Sequence, residues 1–127
     1  MSQPFVSHVP SEYAVNWSED LEELHEESSR THFIDVWTRI AILARVGPLP
    51  QRPRIIDVGC STGYLLEDLR RAIPDASLVG VDLVAGGLRK ARENVPDAEL
   101  LQADACALQG AGHRGDRVVE CLGGFLR

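Results

Sequence analysis

Apolar positions fall in two rhythms along this chain. Arg54–Val58, residues 78–82 and Glu99–Gln102 are short, mostly apolar runs of strand length, the last the weakest. Between them, residues 62–72 and 86–94 repeat apolar residues every three or four and read as helices. The first helix closes at Ile73, Pro74 and Asp75, the second at Pro96 and Asp97. Upstream, a helix from about Ser29 gathers Phe33, Val36, Trp37, Ile40, Leu43 and Ala44 on one face, and Phe33, Trp37 and Ile40 are expected in the core. It stops at the breakers Gly47, Pro48 and Pro50. Ser18 is a suitable cap for a short acidic helix with a thin stripe of Leu21 and Leu24, while residues 1–17, with Pro4 and Pro10, read as irregular. Past Leu108, residues 109–115 read as loop and 117–122 as a candidate fourth strand.

Strands alternating with helices imply α/β architecture, a parallel sheet with helices on both faces and right-handed crossovers. With 127 residues the chain holds one domain at most. We divide it into a helical lead-in, residues 1–50, and an α/β part, residues 51–127. No apolar run is long enough to span a bilayer, and the polar start has no leader pattern, so no membrane is implicated. Cys60, Cys106 and Cys121 are odd in number and widely spaced, which fits reduced thiols and a cytoplasmic setting. Neither they nor His8, His25, His32 and His113 have metal-ligand spacing. The net charge of −6 comes mostly from the first 50 residues, which hold eight carboxylates against three arginines. Glu19, Asp20, Glu22, Glu23, Glu26 and Glu27 are read as a solvated helix face. No basic stripe is visible, which argues against a nucleic-acid partner.

The chemistry concentrates where the first strand meets its helix. Asp57-Val-Gly59-Cys60-Ser61-Thr-Gly63 is a small-residue turn, and Asp82 ends the next strand nineteen residues after Gly63. Gly59 and Gly63 permit torsions that a β-carbon resists, and amides at the start of the following helix point at whatever binds there. A dinucleotide fingerprint wants glycine at relative positions one, three and six, where this chain has Gly59, Ser61 and Tyr64. A carboxylate beside the turn suits a cationic ligand better than phosphates.

The pattern Asp57-x-Gly59-x-Ser61-x-Gly63 resembles motif I of the class I, Rossmann-like S-adenosylmethionine-dependent methyltransferases. The resemblance implies a three-layer sheet in which this chain supplies strands in the order 3-2-1-4, preceded by N-terminal helices. It implies S-adenosyl-L-methionine as cofactor, with Asp57 near the methionyl ammonium and Gly59, Cys60, Ser61 and Gly63 forming the turn around it. Ser61 stands where the family often has glycine, and its small size is expected to be tolerated. Asp82 is placed to take both ribose hydroxyls, Leu83 to pack on the nucleoside, Asp104 to accept from the adenine amino group and Ala105 to donate from its backbone. The acceptor implied is a small molecule, and no catalytic residue is assigned, because methyl transfer depends mainly on alignment and desolvation.

After Leu122 the family's next helix is replaced by Gly-Gly-Phe-Leu-Arg, so the tail is expected to be truncated or altered, leaving the edge of the fourth strand open to self-association. Tyr13 and Trp17 are read as buried or simply exposed, with closure over the cofactor as the other reading. Three other functions stay open on sequence alone. The chain could be a non-catalytic remnant that binds cofactor without turnover. It could be a piece of a nicotinamide or flavin oxidoreductase. Gly-x-Ser-x-Gly also matches a hydrolase nucleophile elbow at Ser61, although only His113 lies downstream as a partner.

Overall fold

A computed structural model describes residues 20–21 and 30–104 with their side chains, and Val6–Ser7 and Arg117–Glu120 as backbone. The readings made for Tyr13, Trp17, Ser18, Leu24, Ala105, Cys106, His113, Cys121 and the tail lie outside the described residues, as do those for the acidic cluster apart from Asp20. The strands are β1 (Val6–Ser7), β2 (Arg54–Val58), β3 (Ser77–Asp82), β4 (Glu99–Gln102) and β5 (Arg117–Glu120). The helices are α1 (Phe33–Arg45), α2 (Tyr64–Ala72) and α3 (Ala85–Asn94). The strands form one sheet in the order β1-β4-β3-β2-β5, every pair parallel. The order β4-β3-β2-β5 is the expected one. β1 is an addition, because residues 1–17 give no strand signal, and two residues between prolines can pair only by borrowing the edge of β4.

β2, β3 and β4 carry apolar side chains on both faces, as a covered parallel sheet requires. On one side Ile55, Leu78 and Leu100 meet Leu65, Leu66 and Leu69 of α2 and Leu88, Ala91 and Val95 of α3. Ile56, Val79, Val81, Leu101 and Ala103 make a second cluster on the other side. Among the described residues all three helices contribute to the first cluster, so the third layer expected from the fold is not among them. Gly80 lies where the first cluster is tightest. A β-carbon there would come within 2.8 Å of Cys60 Sγ and Leu66 Cδ1 and 2.9 Å of Leu100 Cδ2, all in buried side chains. Gly80→Val is therefore expected to lower the urea midpoint by an amount equivalent to about 2–3 kcal/mol, the cost of overpacking a closed core.

Helix α1 corrects the sequence reading. Phe33, Trp37 and Ile40 are 68%, 70% and 57% exposed, and the side that packs on the core carries Ile42 and Leu43, with Val46 just beyond the helix. The packed side also holds Arg39, whose Nε donates to Asp68 Oδ2 on α2 at 2.7 Å. Periodicity identified an amphipathic helix but favoured the more apolar of its two faces. Leu43 is shared with the expected stripe, and the helix is turned toward the side that carries Arg39, whose ion pair to α2 is invisible in the sequence.

Candidate functional site

The turn from β2 into α2 is held in a left-handed zigzag. Gly59, Ser61 and Gly63 have φ of 79°, 49° and 81°, alternating with Cys60 and Thr62. The turn folds back onto the tip of β3. The N–H groups of Gly59 and Cys60 both donate to Val81 O, at 2.7 and 2.9 Å, and Ser61 N–H donates to Asp82 Oδ2 at 2.8 Å. Gly63 meets α3 so closely that a β-carbon would lie 3.0 Å from Ala91 Cβ. Asn94, at the end of α3, donates to Thr62 O at 2.9 Å.

This geometry revises the reason Ser61 is acceptable. The requirement at position 61 is a positive φ more than a small volume, which costs an L-residue about 1–2 kcal/mol. The bond to Asp82 helps hold it there. Ser61→Gly should stay within about 1 kcal/mol of the parent, because relieved strain is offset by a more flexible unfolded chain. Ser61→Val should lose about 2 kcal/mol by thermal unfolding, since a β-branched residue resists this region most.

Two carboxyls flank the turn in different circumstances. Asp82 is buried at the end of β3 and accepts from two backbone amides, Ser61 N–H on Oδ2 and Val84 N–H on Oδ1 at 3.0 Å. A carboxylate has about four acceptor positions, two on each oxygen. Asp57 is fully buried near the end of β2, and among the described residues neither of its oxygens has a hydrogen-bond partner. Its register partners on the flanking strands are Gly80 and Val119, neither ionisable. Burial, reinforced by the charge of Asp82, pushes the Asp57 carboxyl up to about 8. An unpartnered acid in a closed site is a strong indication that a donor or a cation belongs there.

Parallel register brings Leu83 and Asp104 to the same end of the sheet. Ala103 N–H donates to Asp82 O at 2.9 Å, and Gln102 Nε2 donates to Leu83 O at 3.0 Å. The loops holding Leu83 and Asp104, both half-buried, are thereby laced side by side beyond Asp82. Gln102 is a contributor that strand periodicity could not single out. The Cys60 side chain departs from its expected place beside a ligand. Its thiol packs into the core, where a β-carbon at Gly80 would crowd it, and donates to Ser61 O of the turn at 3.8 Å.

The lead-in contributes two more residues that the sequence did not mark. The guanidinium carbons of Arg30 and Arg39 lie 4.5 and 5.8 Å from the centre of the Tyr64 ring, at the first position of α2. Arg30 also donates to Asn94 Oδ1 at 3.3 Å, joining the lead-in to the end of α3. An open groove of about 460 Å³ between α2 and α3 is lined by Arg30, Arg70, Arg71, Glu93 and Asp97 among others. It is crossed by ion pairs such as Arg70–Asp97 at 2.9 Å and sits away from the strand ends, so we do not assign the site there.

What fits at the strand ends is a ligand with a cationic end and a diol. The orphaned Asp57 carboxyl answers the first, and the anchored Asp82 carboxylate answers the second. The left-handed turn supplies close backbone approach, and the residues present fit S-adenosylmethionine. Among the described residues no His/Cys/Asp/Glu group could hold a metal ion.

Comparison with known proteins gives three results. The model of a methyltransferase domain matches residues 55–125. Trans-aconitate 2-methyltransferase of Paracidovorax citrulli is 43% identical over 77 residues, 59% of this chain and 29% of that enzyme. A malonyl-[acyl-carrier protein] O-methyltransferase of Magnetococcus marinus is 32% identical over 69 residues, 50% of this chain and 26% of its own length. Among solved structures, a TehB-like SAM-dependent methyltransferase of Corynebacterium glutamicum superposes with a TM-score of 0.65 at 19% identity, covering 86% of this chain and 58% of that one. The match thus spans less than a third of the curated relatives' length.

Proposed function

Because this chain belongs to the class I, Rossmann-like family of S-adenosylmethionine-dependent methyltransferases, we propose that its strand ends hold that cofactor for methyl transfer to a small carboxylic acid. The observation that carries the reading is the trio Asp57, Asp82 and Asp104 at the ends of three adjacent parallel strands, with a left-handed turn between the first two. Asp57 takes the methionyl ammonium, Asp82 the ribose hydroxyls, and Asp104 with the Ala105 amide the adenine edge. Leu83 packs on the nucleoside. Gly59, Cys60, Ser61 and Gly63 supply the close main-chain surface. The cofactor brings an electrophilic methyl group on a sulfonium, and the chain's residues orient it and keep water away from it.

The acceptor class rests on the relatives named above, whose names give trans-aconitate and a malonyl group, both carboxylic acids. A carboxylate is already deprotonated near neutral pH and so needs no general base. That agrees with a site whose described residues include no evident one. Within this reading residues 1–50 are a lead-in latched onto α2 through Arg39 and Asp68, and residues 51–127 carry the cofactor site. Among the described residues no helix is long and apolar enough to cross a membrane, and we place the protein in the cytoplasm. The outer edge of β5 is the place where a second copy would add. Calorimetric titration with S-adenosylhomocysteine, beside Asp82→Ala, tests the site. Methyl transfer to trans-aconitate tests the acceptor class.

A further inference from the structure

We propose that Asp57 is a counter-ion made on demand: it holds its proton in the free protein and releases it when the ammonium end of the cofactor arrives, so that binding is coupled to proton release. This rests on the cofactor reading and adds a charge step to it.

The geometry sets the conditions. Asp57 is fully buried on β2, between β3 and β5, and both its oxygens lack a partner among the described residues. An isolated carboxylate in such a place is costly, so the neutral acid is the stable form of the empty site. The ionisable groups on the surrounding elements do not relieve it. Asp82 on β3 adds a like charge, and among the described residues it is the group whose charge acts on Asp57. The Cys60 thiol lies in the apolar core, and Arg39 of α1 is engaged by Asp68 of α2. Tyr64 at the start of α2 lies beneath the two arginines. On β5, Arg117 and Glu120 are in register with Ile55 and Val58, so Val119 is the residue opposite Asp57. A ligand ammonium is therefore the missing cation. The step balances simply: the carboxylic acid loses its proton to solvent, and the carboxylate pairs with the ligand's –NH3⁺.

With the free carboxyl near 8, about nine-tenths of the sites are protonated at pH 7. Titrating S-adenosylhomocysteine into the 127-residue chain at pH 7, in two buffers of different ionisation enthalpy, should show release of close to one proton per ligand. Affinity should rise up to tenfold per pH unit between about pH 5.5 and 7.5, where the ligand ammonium stays charged. Asp57→Asn, of nearly equal size and without an ionisation, should lose both the release and the slope. Methylthioadenosine, the same nucleoside without the amino-acid end, should bind weakly and release no proton.

Each contrary outcome is decisive. Tight binding of S-adenosylhomocysteine without proton release overturns the coupling and leaves the cofactor reading intact. Release that persists in Asp57→Asn assigns the proton to another group, and release with methylthioadenosine removes the ammonium from the account. No binding at any pH overturns the cofactor reading, and this inference with it.

Discussion

Asp82→Ala should weaken S-adenosylhomocysteine binding at least about 100-fold and lower stability by about 2–3 kcal/mol. Two losses combine. The ligand loses the acceptor proposed for its ribose hydroxyls, and each charge-assisted bond of this kind contributes about 1.5–3 kcal/mol. The protein loses the shared acceptor of two backbone amides, Ser61 N–H and Val84 N–H. The first holds a non-glycine residue at φ 49°, and the second precedes the first turn of α3. Removing the carboxylate therefore loosens the turn and the helix start together. Asp82→Asn separates the effects, because its carbonyl oxygen can still serve one amide. It should recover much of the stability and little of the binding. Binding is read by calorimetry at a temperature where circular dichroism shows both variants folded. A folded Asp82→Ala chain that binds within tenfold of the parent would remove Asp82 from the cofactor site. Loss of NAD binding in place of S-adenosylhomocysteine binding would return the oxidoreductase alternative, against which family membership now stands.

The parts of this fold that were legible in the sequence are those set by local rules. β2 and β4 fall at their expected bounds, and α2 starts at Tyr64, later than the expected 62, because Gly63 must be left-handed before the helix can begin. The ends of the strands carried the acids in sequence, and parallel register was enough to bring Asp57, Asp82 and Asp104 to one end of the sheet. What could not be read were the properties that depend on distant partners. β1 exists through the edge of β4, and no local pattern in residues 6–7 announces it. The packed face of α1 includes Arg39, paired across 29 residues, while its more apolar stripe of Phe33, Trp37 and Ile40 faces outward. The circumstances of Asp57 were equally hidden. The motif places a carboxylate beside a turn, but its lack of a partner among the described residues depends on the packed strands around it, where Gly80 is its register partner on β3.

That same lack of partners makes Asp57→Asn a stabilising change whose size depends on pH. An acid raised from 3.8 to about 8 by burial binds its proton more tightly in the native state than in the unfolded one. Between about pH 4 and 8 the unfolded chain has released this proton and the native chain has kept it. Native stability therefore falls as pH rises through that window, by up to about 1.4 kcal/mol per unit from this group alone. Asparagine has no ionisation and escapes the penalty, though its amide is no better partnered than the neutral acid. The variant should match the parent near pH 4 and exceed it by about 2–4 kcal/mol at pH 7.5. Ionisations that do not act on Asp57 occur in both chains and cancel in the difference. Urea midpoints of the two proteins at pH 4.5, 6 and 7.5 provide the comparison. Parallel curves, or a variant less stable at pH 7.5, would show that Asp57 is solvated or paired in solution and carries no such cost. Divergence would mean that the site keeps a destabilising acid in place, as expected where a residue is retained for a ligand and not for the fold.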